Sequence, residues 1–405
     1  GSEMCIRDSY NITSNSVNEF WAFGPLGSFT YANFATLRIE ASAGNNVFNI
    51  ISSAAGTPIG INGNGGNDTF NVTATDGAGR ASILGQLFLT GGNGNNALVV
   101  NSSADPNGIG YTIDAGRITP LGSADIYYSV KSLTVNTGPG PDLFNIAGTN
   151  ITTILNTGGG ADVINVTPQG QNLDTIQALL TVNGNSASSL TVNDQNNPNF
   201  VFTQDILTST ATTALTRIGQ KVDAFGLPII HVATIDCSGI GLLTLNTGFL
   251  ANVVNVEGTA TPVTVNPGPG TAVINVDKTS PAAPVTIGPG VANEPVTVNS
   301  NGTGTAAAVF AATQRIGALT IGAGGTATVL PGGGKVLTVP SLSISGTGRL
   351  DLTDESMIVD YTGSSPAAAV KSLLTSGYAG GTWNGRGIVT SSADATHGLG
   401  FADSA

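Results

Sequence analysis

Short runs in which apolar residues flank a single asparagine recur along the chain. Sequences such as "FNI", "INV" and "VNV" end at residues 50, 72, 146, 166, 256 and 276. Because successive side chains of a β-strand point to opposite faces, this alternation predicts short strands with the apolar pair inward and the asparagine outward. The outward positions are expected to form a polar row made of Asn49, Asn71, Asn145, Asn165, Asn255 and Asn275.

These strand patterns belong to a repeated unit. The eleven residues "NTGPGPDLFNI" at 136–146 return as "NTGGGADVINV" at 156–166, an interval of 20. A longer unit of roughly 100 residues contains the short one, since the segments 29–50, 125–146 and 235–256 align with one another. A unit this small cannot bury an apolar face alone and does so by stacking on the next copy.

The repeats predict an all-β fold, a right-handed parallel β-helix (β-solenoid), over residues 10–360. Each coil would hydrogen-bond to the next at about 4.8 Å, so that like side chains form inward columns. The alignment makes two sets of positions equivalent. The sets are Leu37, Leu133 and Leu243, and Phe48, Phe144 and Val254.

The two ends of the chain differ from the repeats. Residues 1–9, "GSEMCIRDS", resemble translated adapter sequence and are set aside. Residues 361–405 are predicted to form a small capping module that is truncated at its end and contains one helix. That helix is expected over 364–377, with Ser365 as N-cap, Pro366 at the first position and Gly377 past the end.

Composition narrows the function classes. The 405 residues include 56 glycines, 13 Lys and Arg, and 25 Asp and Glu, for a formal net charge of −12. A nucleic-acid partner is not expected, because phosphate binding needs clustered positive charge. No apolar run is long enough for a transmembrane helix, which needs about 18 residues. Cys237 is expected to act as a small buried apolar residue.

The C-terminal strings "GRLDLTDESMIVDYTG", "LLTSGYAGGTWNGRGIVTSSA" and "GLGFAD" resemble the C-terminal region of very large secreted repeat proteins of planctomycete-type bacteria. The upstream "LTVNTG…DLFNI" units are similar to the repeats of those proteins. The resemblance implies an extracellular or cell-surface location and a repetitive architecture, and no particular chemistry. A weaker resemblance links "GNGGNDTFN" at 63–71 to the calcium-binding nonapeptide of toxin-type (RTX) β-rolls.

The acidic residue of the repeat is the candidate metal ligand. It is Asp68, Asp142 or Asp162 in three copies, whereas Asn46, Asn96, Asn252 and Ala272 occupy the same position elsewhere. Calcium takes six to eight oxygens, several of them from carboxylates, so a binding ladder should not lose its charge in so many copies. The pattern therefore favours Asx side chains that cap their own turn, with calcium as the alternative and no other cofactor expected.

Two further kinds of site remain open. Tyr378 and Trp383, in the glycine-rich "GYAGGTWNGRG", are candidates for carbohydrate stacking, although packing of a small cap also explains them. A polysaccharide lyase or hydrolase needs paired carboxylates. The densest acidic cluster, Asp351, Asp354 and Glu355, lies at the terminal end of the repeats.

The sequence thus predicts a non-catalytic, structural or adhesin-like segment of a large secreted or surface protein. A carbohydrate- or calcium-binding module is the alternative, and a polysaccharide-active enzyme is the third hypothesis. The expected partner is an extracellular or cell-surface polysaccharide.

Overall fold

The structure, a computed structural model, describes residues 8–21, 24–197, 202–209, 212–222, 225–248, 252–268, 270, 272–290, 293–300 and 304–404. The chain forms two compact units. Unit 1 comprises Gly1–Leu190 and Ala233–Gly241, and unit 2 comprises Thr191–Val232 and Leu242–Ala405. Within the described residues the fold is mostly β, as expected, and many of its strands pair in parallel.

The first half of the chain forms strands β1 to β17. In order, their bounds are Ser9–Ile12, Ser16–Trp21, Gly24–Thr30, Leu37–Glu40, Val47–Ile50, Ile59–Asn62, Thr69–Thr73, Leu87–Thr90, Ala97–Asn101, Gly110–Asp114, Arg117–Pro120, Ile126–Ser129, Ser132–Asn136, Leu143–Ile146, Thr152–Asn156, Val163–Val166 and Leu180–Asn193. A 3₁₀ turn, Leu173–Thr175, precedes β17.

The second half forms strands β18 to β34 and the helix α1, Ala367–Tyr378. In order, the strands are Phe202–Ser209, Thr213–Val222, Pro228–Asn246, Asn252–Val256, Val263–Asn266, Ala272–Val276, Val285–Ile287, Val296–Val298, Ala306–Phe310, Gln314–Arg315, Leu319–Ile321, Gly325–Val329, Val336–Val339, Leu342–Ile344, Arg349–Asp351, Ser356–Val359 and Gly387–Val389. A 3₁₀ turn, Ala379–Gly381, follows α1.

In unit 1 the parallel strands pair in three rows. Row A contains β4, β6, β8 and β12, and row B contains β1, β5, β7, β9, β13, β15 and the start of β17. Row C contains β10, β14 and β16. Antiparallel pairs interrupt this order at β1–β2–β3 and at β10–β11–β12.

The rows correct two expectations from the repeat alignment. Phe144 was predicted to take the position of Phe48, yet it lies in row C, where it pairs with Tyr111 and Ile164. Leu133 was predicted to take the position of Leu37, yet it pairs in register with Leu98, in the column of row B that contains Phe48 and Phe70. The column of Leu37 continues instead through row A to Ile126. The antiparallel excursion through β11 inserts chain between the two copies, so equivalent sequence positions enter different rows.

Unit 2 contains two long rows. Row D runs from the end of β20 through β22, β24, β26, β29 and β32 to β34. Row E runs from β18 through β21, β23, β25 and β28 to β31. A short third row joins β27, β30 and β33.

Inward and outward positions follow the predicted alternation. The rings of Tyr10, Phe48 and Phe70 stack along row B at centroid distances of 5.1 and 4.9 Å. The predicted outward asparagines are half-buried, and the Nδ2 of one residue donates to the Oδ1 of its neighbour in an amide ladder. These bonds are Asn71 to Asn49 at 3.0 Å, Asn165 to Asn145 at 3.2 Å and Asn275 to Asn255 at 2.9 Å. The asparagines form three separate ladders, in rows B, C and E, and not the single polar row that was expected.

The predicted helix is present, but its end differs from the expectation. Ser365 Oγ accepts a hydrogen bond from Ala367 N at 3.1 Å, as an N-cap does, with Pro366 in the next position. Gly377 lies inside the helix, where an added Cβ would approach the carbonyl oxygen of Ile388 to 1.7 Å. The glycine is therefore explained by close packing on β34 and not by a C-terminal turn. No helix among the described residues is long and apolar enough to cross a membrane.

Candidate functional site

The repeat position predicted to hold a metal lies at a buried turn immediately before a strand. Asn46, Asp68 and Asn96 occupy it in row B, and Asp142 and Asp162 occupy it in row C. All five side chains are at most 2% exposed. We call these two sets the row B turn stack and the row C turn stack.

Four of the five side chains, all except Asn46, cap the backbone of the preceding rung. Asp68 Oδ1 accepts from Asn46 N at 2.8 Å, and Asn96 Oδ1 accepts from Asp68 N at 2.7 Å. In the row C stack, Asp162 Oδ1 accepts from Asp142 N at 3.0 Å. The sequence interpretation expected these side chains to cap their own turn, and the amides of Asn46 and Asn96 do so. The additional bond between two rungs was not expected.

The stack members differ in the contacts of the second polar atom of the side chain, which is Nδ2 in asparagine and Oδ2 in aspartate. Asn46 Nδ2 donates to the carbonyl oxygens of Ser42 and Gly44, at 3.0 and 2.9 Å. The equivalent Asp68 Oδ2 is buried without a hydrogen-bond partner. Burial raises the pKa of Asp68 above its ordinary value, because removal from water disfavours the charged form.

Asp142 and Asp162 are neighbours with different environments. Asp162 Oδ2 accepts from the hydroxyls of Thr157 and Ser188, at 2.6 and 2.8 Å, and these donors suit an ionised carboxylate. Asp142 Oδ1 accepts a hydrogen bond from Ile109 N at 2.8 Å. Among the described residues, this is the only hydrogen bond of normal geometry to the Asp142 carboxyl group. Burial raises the pKa of Asp142 to about 6.

The metal candidates therefore fall into two places. Asp142 and Asp162 lie on adjacent rungs of row C, whereas Asp68 belongs to the row B stack. In the part of the chain that the structure describes, no group of three or more His, Cys, Asp or Glu side chains is arranged to hold a metal ion. Calcium binding would have to draw further oxygens from the turn backbone or from water.

The structure brings the two carbohydrate candidates together. The rings of Tyr378 and Trp383 meet edge to face, with centroids 5.3 Å apart and planes at 84°. Tyr378 is 48% exposed, while the Trp383 ring lies against Gly398, where an added Cβ would come within 2.9 Å of it. The perpendicular rings and the packing on Gly398 make a local cluster rather than one flat platform.

The acidic cluster at the end of the repeats consists of backbone caps and an ion pair. Asp351 Oδ1 accepts from Thr353 N and Ser391 N, both at 2.9 Å. Asp354 Oδ1 accepts from Gly332 N at 3.0 Å. The buried Glu355 carboxylate lies 3.5 Å from Lys335 Nζ. These contacts occupy carboxylate oxygens that a glycosidase would need for acid–base chemistry.

A buried charged cluster in unit 2 was missed by the sequence reasoning. Arg217 is fully buried, and its Nε and Nη2 donate to Asp194 Oδ2 and Oδ1 at 2.9 and 3.1 Å. Asp205 pairs in register with Arg217 across the β18–β19 hairpin and accepts from Asn252 Nδ2 at 3.1 Å. Burial, followed by the charge of Asp194, raises the pKa of Asp205 to about 7.

A sequence signal for this cluster did exist. Alternation places Thr203, Asp205 and Leu207 on one face of β18, and Leu215 and Arg217 on one face of β19. An acid and a base at inward positions of successive strands indicate a buried pair, because an isolated charge would cost too much in the interior. Cys237 is buried and unpaired as expected, and burial raises its thiol pKa to about 12.

Comparisons of this chain with protein-family models, with curated proteins and with solved structures give no match.

Proposed function

We propose that this chain is a non-catalytic, rigid segment of an extracellular or cell-surface protein, built as a right-handed parallel β-helix. The observation that supports it best is the register of the rows. In row B, residues Phe48, Phe70, Leu98 and Leu133 follow one another as direct partners through four strands. The right-handed sense is proposed because parallel crossover connections take this hand in nearly all proteins.

Structure and side-chain chemistry favour a scaffold over an enzyme. Buried carboxylates of the turn stacks are joined to neighbouring rungs, as Asp68 is to Asn46 and Asp162 is to Asp142. Such bonds tie successive rungs together and leave fewer groups to act on a substrate. In a stack of this kind, stability grows by addition of rungs and their interfaces, which suits a spacer or stalk.

Removal of one complete rung tests the scaffold proposal. Deletion of residues 137–156, from Thr137 to Asn156, joins Asn136 to Thr157 and takes one strand from row B (β15) and one from row C (β14). Because the sequence at the junction, Asn-Thr, is unchanged, Asp162 would then cap Ile109 N in place of Asp142. We expect a native-like far-UV circular dichroism spectrum and a cooperative thermal transition.

The matched control deletes residues 137–146 alone. It removes β14 and its turn but keeps β15, so that row C loses a strand while row B keeps all of its strands. This shorter deletion should abolish cooperative unfolding. Equal behaviour of the two variants would show that the rungs are not modular and would overturn the proposal.

Calcium binding is a second candidate because Asp142 and Asp162 lie on adjacent rungs. If they share an ion, millimolar calcium should raise the thermal midpoint relative to EDTA by several degrees, since a ligand that binds only the folded state stabilises it. Asp142→Asn should abolish that shift, while Asp351→Asn, in the terminal cluster, should keep it. An unchanged midpoint of the parent protein in calcium would reject this candidate.

A further inference from the structure

One outward-facing column of row A lacks a side chain at Gly60, next to an aromatic ring at Phe88. Arg38, Gly60, Phe88 and Tyr127 are direct register partners on four successive strands, β4, β6, β8 and β12. The Phe88 and Tyr127 rings stack with centroids 5.0 Å apart and planes at 5°. Tyr127 therefore covers one face of Phe88, and the other face looks across Gly60 towards Arg38.

The gap at Gly60 has the size of one ring. A Cβ built at Gly60 would have no neighbour closer than the Leu37 carbonyl oxygen at 4.0 Å. Neighbouring strands are about 4.8 Å apart, so Phe88 and Arg38, two strands apart, leave roughly 9.6 Å between their positions. A ring inserted midway would continue the stack at its own spacing. The gap opens into a surface depression of about 410 Å³.

Polar groups line the same depression two residues further along each strand. Glu40, Asn62 and Thr90 are register partners there, and Asn62 Nδ2 donates to Glu40 Oε2 at 2.9 Å. Arg38 Nε pairs with Glu40 Oε1, so the guanidinium charge is matched by a carboxylate. A carboxylate accepts hydrogen bonds from hydroxyls, whereas carboxamide and hydroxyl groups both donate to and accept from them. The paired charges of Arg38 and Glu40 do not favour an anionic ligand.

We propose that this depression is a subsite for a neutral pyranose ring of a polysaccharide. The apolar face of the sugar would stack on the exposed face of Phe88 above Gly60, and its hydroxyls would bond to Glu40, Asn62 and Thr90. Apolar stacking combined with a few convergent polar groups is the pattern of specific small-ligand sites. The inference rests on the proposed scaffold only in that the rungs hold the column in place.

The test uses four probes, cellohexaose, chitohexaose, xylohexaose and mannohexaose, titrated into the full chain by calorimetry or by NMR. At least one should bind. Phe88→Ala should weaken its binding at least tenfold, because the stacking face is lost. Gly60→Phe should weaken it as much by filling the gap, and it should fold normally, because the position is open and aromatic residues suit strands.

A control variant distinguishes binding at this site from nonspecific binding. Phe29→Ala removes a phenylalanine of β3 that is 50% exposed and lies outside the depression, so binding should not change. Absence of binding by all four probes at about 10 mM, or binding that survives Gly60→Phe, would overturn the inference. So would a dimer of the parent chain that Gly60→Phe abolishes in light scattering, since a second copy would then fill the gap. None of these results would bear on the rung-deletion test.

Discussion

Unit 1 and unit 2 both bury acidic side chains, but at different places along the strand. In unit 1, Asp142 and Asp162 lie at the turn before a strand and accept hydrogen bonds from the backbone of the preceding rung. In unit 2, Asp205 lies at an inward position within a strand, beside Arg217 and Asp194. At a turn, backbone N–H groups can donate hydrogen bonds to a carboxylate. Within a strand the backbone is already paired, so another side chain must provide the donor.

The largest effect is expected from breaking the charged cluster of unit 2. Arg217→Met leaves Asp194 buried without its guanidinium partner, and loss of one member of a buried pair costs about 3–5 kcal/mol of unfolding free energy. Urea denaturation followed by circular dichroism measures this loss. Arg80→Met, at a surface arginine paired with Asp76, should leave the midpoint unchanged.

A triple variant tests whether unit 2 needs the charged cluster at all. Asp194→Leu, Arg217→Met and Asp205→Leu together make the interior of unit 2 apolar, like the columns of unit 1. Because apolar replacement of a whole buried ionic group is often neutral or stabilising, the triple variant should recover most of the stability that Arg217→Met loses. If it proves less stable than the single variant, the cluster is required for the packing of β18 and β19.

The pH dependence of stability should come mainly from Asp205. Its pKa is raised in the folded state, so its contribution is complete at low pH and is lost as pH rises through about 7. Asp205→Asn removes this loss, and its amide can donate to Asn252 Oδ1, which is buried without a partner. The variant should match the parent protein near pH 4 and exceed it at pH 8 by about 2–4 kcal/mol.

Urea midpoints measured from about pH 4 to pH 8 test this prediction. The parent protein should lose stability steadily from about pH 4 to pH 7 and level off above that, and the slope should be much reduced in Asp205→Asn. Parallel pH profiles for the two proteins would mean that Asp205 is not the titrating group.

The same comparison explains which features were accessible from the sequence. Turn and strand positions in unit 1 recur in one short sequence motif, so Asp142 and Asp162 could be assigned to turns and the asparagines to outward positions before any coordinates. The column of Leu133 could not, because the β10–β11–β12 excursion changes the row that the chain enters. Arg217 was missed because β18 and β19 form an antiparallel hairpin that the repeat does not encode.

A smaller gain is expected at the turn stack of unit 1. Asp142→Asn keeps the oxygen that accepts a hydrogen bond from Ile109 N. It removes the carboxyl group, whose pKa is raised to about 6 by burial. Its new Nδ2 would face the carbonyls of Gly138 and Gly140, as Asn46 Nδ2 faces those of Ser42 and Gly44. In EDTA at pH 7.5 we expect a gain of about 1–2 kcal/mol, and none near pH 4.

Asp162→Asn is the matched control for this gain. The Asp162 carboxylate already accepts from Thr157, Ser188 and the backbone of Asp142, so loss of its charge should destabilise the protein. If both variants shift stability in the same direction, the difference between their environments has no energetic consequence.

The smallest loss of unfolding free energy is expected at the outward amide ladders, because their asparagine side chains are uncharged and half-buried. Asn71→Thr removes the 3.0 Å bond to Asn49 while keeping a side chain that suits a strand, so we expect a loss of about 0.5–1 kcal/mol. In unit 2 the column of Asn275 continues with Thr297 and Thr320, which shows that threonine fits this position. A loss above about 2 kcal/mol in urea would show that the ladder acts as a cooperative unit, because one bond alone is worth less than that.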